Sequence, residues 1–90
     1  MNKPRFRFAS FYCGAGFGSH GGKRAGGYEV FGLDIDPRAL RLADMCHQET
    51  KHINLSVLDA TVASLADRGI PPDMAYDLDI LITSPPCVGA

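Results

Sequence analysis

The chain is predicted to be an α/β protein, a parallel sheet with helices on both faces, and three observations predict it. Segments with strand-like and helix-like periodicity alternate along its 90 residues with short connections. A glycine-rich turn directly follows the first of these strands, and an acidic residue closes the second. Near the far end, the apolar run Leu78-Asp79-Ile80-Leu81-Ile82 reads as a buried strand that leads into Pro85-Pro86-Cys87.

The elements follow in order. Arg5 to Tyr12 is a first strand, since Phe6, Phe8 and the Phe11-Tyr12 pair supply strand-favouring aromatics. From Cys13 to Gly27, seven of fifteen residues are glycine, which suits a tight turn and only a weak helix. Tyr28 to Asp36 is a second strand, with Val30, Phe31, Leu33 and Ile35 as its apolar content and Asp34 and Asp36 on the other side. Asp36-Pro37 then starts a helix, aspartate at the cap and proline at the first position, with Ala39, Leu40, Ala43 and Cys46 on one face to about His47. Ile53 to Leu58 is a short third strand, and Val62, Leu65 and Ala66 mark a further helix that Gly69-Ile70-Pro71-Pro72 breaks. The last strand leads to Cys87. Right-handed crossovers and the winding of nucleotide-binding sheets give the strand order 3-2-1-4, with a crevice between strands 1 and 4 at their carboxyl ends. An apolar fourth strand at an edge is a liability that something else is expected to cover.

Composition bounds the function. At 46% hydrophobic and 21% charged the chain is an ordinary globular core sized for one small domain, residues 1–90, and a net charge of −1 leaves no electrostatic footprint for nucleic acid. Lys3, Arg5, Arg7, Lys23 and Arg24 read as solvated surface. Three cysteines at positions 13, 46 and 87 argue against a disulfide framework and for a reducing, cytoplasmic setting, and no stretch resembles a signal peptide or membrane span. Cys13, Cys46, His47, His52 and Cys87 lack the spacing of a zinc site, so no metal is expected and both histidines read as polar surface.

The motifs converge on one end of the sheet. Gly14-Ala15-Gly16-Phe17-Gly18 follows a strand and lets a ligand approach the backbone closely, while Asp34, twenty residues beyond Gly14, can accept hydrogen bonds from both hydroxyls of a ribose. Ser19 stands where the dinucleotide fingerprint needs a glycine, which disfavours a pyrophosphate. Asp36 competes for the ribose, but its place before Pro37 makes it the better helix cap. Asp59, after strand 3, either accepts from an exocyclic adenine amine or caps a helix. Ile35 either packs on adenine or belongs to the core. Two prolines make the turn at Cys87 stiff, which suits a nucleophile, though an inert buried cysteine is the alternative.

Taken together, FYCGAGFGS, GLDIDPRAL, LDATV and ITSPPCVGA resemble, in order and spacing, the successive amino-terminal motifs of the cytosine-5 DNA methyltransferase family. The resemblance covers essentially the whole chain. It departs where the family usually reads Asp-Leu-Phe and this chain reads Ser10-Phe11-Tyr12, and where the third glycine is Phe17. The resemblance implies the amino-terminal half of a Rossmann-like, S-adenosyl-L-methionine-dependent methyltransferase fold. It places Tyr12, Cys13, Gly14, Ala15 and Gly16 near the methionine part of that cofactor, Asp34 on the ribose, Ile35 against adenine, and Asp59 on the adenine amine. Ala60 and Pro85 join the same site. Cys87 becomes the nucleophile that adds to carbon 6 of a flipped cytosine in DNA. The family's later glutamate and arginine motifs and its target-recognition region are not in this sequence, so the 90 residues alone are not expected to methylate DNA, and a second chain carrying those motifs is a candidate partner. Two other classes compete: an amino-methyltransferase, whose comparable loop ends in an aromatic residue instead of Cys87, and a cofactor-binding or interaction module without catalysis.

Overall fold

A computed structural model of the chain describes residues 5–84. Its elements are β1 (Phe6–Phe11), α1 (Phe17–Arg24), β2 (Gly27–Asp34), α2 (Pro37–Cys46), β3 (Lys51–Asn54), a short 3-10 turn (Val57–Asp59), α3 (Val62–Asp67), α4 (Pro72–Tyr76) and β4 (Ile80–Thr83). The four strands form one parallel sheet in the order β3-β2-β1-β4, the predicted winding. Because β1 lies between its successor and the last strand, the chain reverses direction beside it, and the carboxyl ends of β1 and β4 form the topological switch point where such sheets bind ligands.

Helices cover both faces. On one face Ala9, Phe31, Leu33 and Ile53 pack with Leu65 of α3 and Ile70, and Met74 and Ala75 of α4 close over them. On the other, α1 lies directly on the sheet: a Cβ at Gly22 would stand 2.4 Å from the Phe8 ring. Glycine therefore permits an eight-residue helix where its composition predicted only a weak one, because close packing on an aromatic ring offsets poor intrinsic propensity.

One irregularity reassigns the faces of β2. Its register with β1 pairs Glu29 with Phe8 but Phe31 with Ala9, so Val30 is an extra residue and the strand bulges. Side chains alternate across a strand, so this bulge sends Glu29 to the α1 face and Phe31 to the α3 face although they are two apart. Strict alternation through Val30 and Phe31 does not predict that.

Helix boundaries follow local chemistry. The Asp36 carboxylate accepts from the Arg38 amide at 3.0 Å and Pro37 occupies the first turn, as predicted for α2. Thr61 and Ser64 form a reciprocal capping box at the start of α3. The predicted third strand, Ile53 to Leu58, is corrected to Lys51–Asn54, and the serine-capped 3-10 turn takes up its second half. Gly69, at φ 94°, closes off α3, and Pro72 begins α4, since a proline fits a helix's first turn.

Candidate functional site

The glycine loop between β1 and α1 is held at several points. The Cys13 amide donates to the Leu33 carbonyl at 2.9 Å, which carries the β1–β2 pairing into the loop, and the Gly16 amide donates to the Cys13 carbonyl at 3.0 Å. Gly14 and Gly16 take φ of 55° and 98°, and Tyr12 takes φ 59°, the only left-handed non-glycine among the described residues. Strain of this kind costs roughly 1–3 kcal/mol, and the loop's anchors hold it. At Gly14 a Cβ would meet nothing within 4 Å, so its outer side is open.

Asp34, at the end of β2, reaches across to this loop. Its Oδ2 accepts from the Gly14 amide and its Oδ1 from the Asp36 amide, each at 2.9 Å. Each carboxylate oxygen keeps a further lone pair, so two hydroxyls can still be accepted. Because the Gly14 N–H is spent on a carboxylate, it is not offered to a phosphate, which agrees with the mismatch to the dinucleotide fingerprint. Next to Asp34, Ile35 is 70% exposed and so is no core residue. Leu58, on the 3-10 turn, is 91% exposed, and sequence reading did not single it out. Such apolar side chains standing in water at a carboxyl edge are suited to a flat ligand.

Asp59 ends the 3-10 turn instead of following β3 directly. It caps no helix, since the cap of α3 is Thr61. Its side chain is exposed, while Ala60 is partly buried and packs against the core. On the β4 side of β1, the Ser84 amide donates to the Phe11 carbonyl at 3.4 Å, so the end of β4 lies beside the root of the glycine loop. Pro85 and Cys87 lie outside the described residues.

The other two cysteines are set apart chemically. Burial pushes the Cys13 thiol up to about 12 from 9.0, and the nearby Asp34 and Glu29 carboxylates add to the shift, so Cys13 stays a protonated, poor nucleophile. Cys46 is exposed on α2. No group of three or more metal-ligating side chains gathers among the described residues.

Two histidines read as surface are corrected. His47 is buried against the loop, its Nε2 3.1 Å from the Gly16 carbonyl and its Nδ1 3.0 Å from the Lys23 ammonium. An ammonium only donates, so Nδ1 accepts and Nε2–H donates to Gly16. Lys23, also read as solvated, is mostly buried and pairs in turn with Glu49, whose carboxyl it holds below the ordinary value. The His52 side chain is enclosed and bonded to Asp44 at 2.6 Å. Periodicity gave no sign of these contacts because they join α2 and its following loop to α1 and β3.

Sequence reading also missed Glu29. Its Oε2 accepts from the hydroxyls of Ser10 at 2.6 Å and Ser19 at 2.7 Å, all three side chains being buried. Where the resembled family usually carries an aspartate in the first strand, Ser10 here meets a carboxylate brought by the neighbouring strand. A lone glutamate inside an apolar, two-faced parallel strand is the signal that marks it.

The sheet order and the glycine loop after β1 are those of a Rossmann-like fold of the kind methyltransferases have. Among solved structures, that of a DNMT2 mutant from Spodoptera frugiperda matches 91% of this chain with a TM-score of 0.69 at 22% sequence identity. The chain spans 23% of that structure's length. No protein-family profile and no curated protein matches the sequence.

Proposed function

We propose that the chain is the cofactor-binding and nucleophile-bearing portion of a cytosine-5 nucleic-acid methyltransferase, with DNA as substrate and S-adenosyl-L-methionine as cofactor. The observation that carries the reading is Asp34 pinned to the Gly14 amide with exposed Ile35 beside it, at the switch point of a parallel sheet. The residues present fit the cofactor. Asp34 retains acceptor capacity for both ribose hydroxyls, Ile35 offers an apolar face to adenine, Asp59 an exposed carboxylate to its amine, and the open side of Gly14 leaves room for the methionine portion.

When bound, that cofactor supplies an electrophilic methyl group. This chain's own part in the chemistry falls to Cys87, in the motif that continues from Ser84. Its thiolate would add to carbon 6 of the cytosine and make carbon 5 nucleophilic; once carbon 5 had taken the methyl group, with S-adenosylhomocysteine as the leaving group, loss of the carbon-5 proton to a base would expel the thiolate again. The aspartates at the crevice edge repel phosphate, so contacts to the nucleic-acid backbone fall to another polypeptide segment carrying basic residues.

Calorimetry with S-adenosylhomocysteine tests the cofactor half. Wild type binds, and Asp34→Asn, which keeps one acceptor and turns the other into a donor, weakens binding by about tenfold or more. An oligonucleotide containing 5-fluorocytosine, which blocks loss of the carbon-5 substituent, tests the other half once a polypeptide with the later motifs is added. A covalent adduct that forms with Cys13→Ala and Cys46→Ala but not with Cys87→Ala supports the reading; an adduct that survives Cys87→Ala overturns it.

A further inference from the structure

Ser10 ends the buried part of β1 and Ser19 lies in the first turns of α1, so between them they bracket the whole glycine loop. Both donate their hydroxyls to one oxygen of Glu29, at 2.6 and 2.7 Å. Glu29 is 1% exposed, and its other oxygen, Oε1, is buried with no hydrogen-bond partner among the described residues. A buried carboxylate with an orphaned oxygen is a poor source of stability, because apolar groups of similar volume commonly serve as well or better. What it supplies is geometry: a single acceptor fixes the separation of the two ends of the loop.

We infer that Glu29 is a positioning residue for the cofactor loop, tying the strand before the loop to the helix after it through Ser10 and Ser19. The inference rests on the cofactor reading given above. Asp34 and His47 hold the middle of the loop, at Gly14 and Gly16, while Glu29 holds its two ends from beneath. The bulge at Val30 makes this possible, since it turns Glu29 to the α1 face while Phe31 stays in the opposite core. Releasing the ends lets α1 shift on β1, and the amide and carbonyl groups of residues 12–16 lose their alignment toward a ligand.

The decisive variant replaces the tie with apolar groups, as Ser10→Ala, Ser19→Ala and Glu29→Leu together. A purely structural role predicts a lower melting temperature in proportion to any loss of binding. The positioning role predicts a melting temperature at or above wild type, faster amide hydrogen exchange at residues 12–18, unchanged exchange in β2 and β3, and about tenfold weaker S-adenosylhomocysteine binding. Glu29→Gln, whose carbonyl accepts both hydroxyls, restores affinity to within about threefold of wild type. Should the triple variant fail to fold, Ser19→Ala alone cuts the helix end of the tie and shows the same changes in smaller degree. Unchanged exchange in the loop, or unchanged affinity in a folded variant, overturns the inference. A wild type that binds no S-adenosylhomocysteine overturns the cofactor reading instead, and the exchange measurement then decides separately whether Glu29 orders the loop.

Discussion

Cys13 belongs to the glycine-loop motif and Cys87 to the proline motif that continues from Ser84, and the proposed function requires that the two thiols differ in reactivity. Cys13 lies where β1 meets the loop, packed with His52 around Gly32, and burial together with Asp34 and Glu29 raises its thiol to about 12. The folded state therefore holds the Cys13 proton more tightly than the unfolded chain does. That contribution is complete below pH 9.0, the ordinary value, and is lost as pH rises toward about 12. Denaturant titrations stepped through this window are expected to show wild type losing more stability than Cys13→Ser, with the two converging in slope below it. A difference that does not vary with pH would remove Cys13 from the account. At this scale the position of Asp34 was legible in the sequence, as the acid that closes the second strand twenty residues past the first glycine of the turn, and the structure has it at the end of β2. Its bond to Gly14 was not, since nothing local to either residue specifies the other.

Among the elements, the loop and the helix that follows it divide their glycines between two tasks. Gly14 and Gly16 both take left-handed φ, but a Cβ at Gly14 meets open space whereas one at Gly16 stands 2.7 Å from the His47 ring. Gly14→Ala is expected to cost about 1 kcal/mol in backbone strain and to act chiefly on cofactor affinity. Gly16→Ala adds a clash with a buried imidazole, worth roughly another 1–3 kcal/mol, and is expected to lower the unfolding midpoint markedly. Comparing melting temperature and S-adenosylhomocysteine affinity for the two variants checks this, and equal losses of stability would contradict it. The start of α2 was readable because aspartate before proline is a local signal. The limits of β3 and the existence of α4 were not. Residues 55 to 58 carry strand-like apolar content, and only the Ser56 side chain accepting from the Leu58 amide, and the packing above it, bend them into a 3-10 turn.

For the whole molecule, the sheet's two edges differ. β3 packs against α2, while β4 presents Ile80 at 44% and Leu81 at 49% exposure, on opposite faces. Parallel strands are normally buried on both faces, so this apolar edge is where pairing with a further segment or a second copy is expected. Leu81→Lys is expected to reduce concentration-dependent self-association in sedimentation velocity with little change in melting temperature. Association that persists unchanged would move the contact away from β4. Among the described residues no helix is long and apolar enough to cross a membrane.

Sequence alone determined the class of fold, the order of the strands, the cap of α2 and the placing of the glycine turn and Asp34 at the same end of neighbouring strands, because each follows from local periodicity, turn chemistry and the fixed handedness of crossovers. Only the tertiary structure decided that Ile35 stands in solvent, that His47 and His52 are enclosed, and that Glu29 lies beneath the loop. These depend on a one-residue bulge and on contacts between segments distant in the chain. A shift of one position reverses which face a side chain occupies, and no local pattern records it.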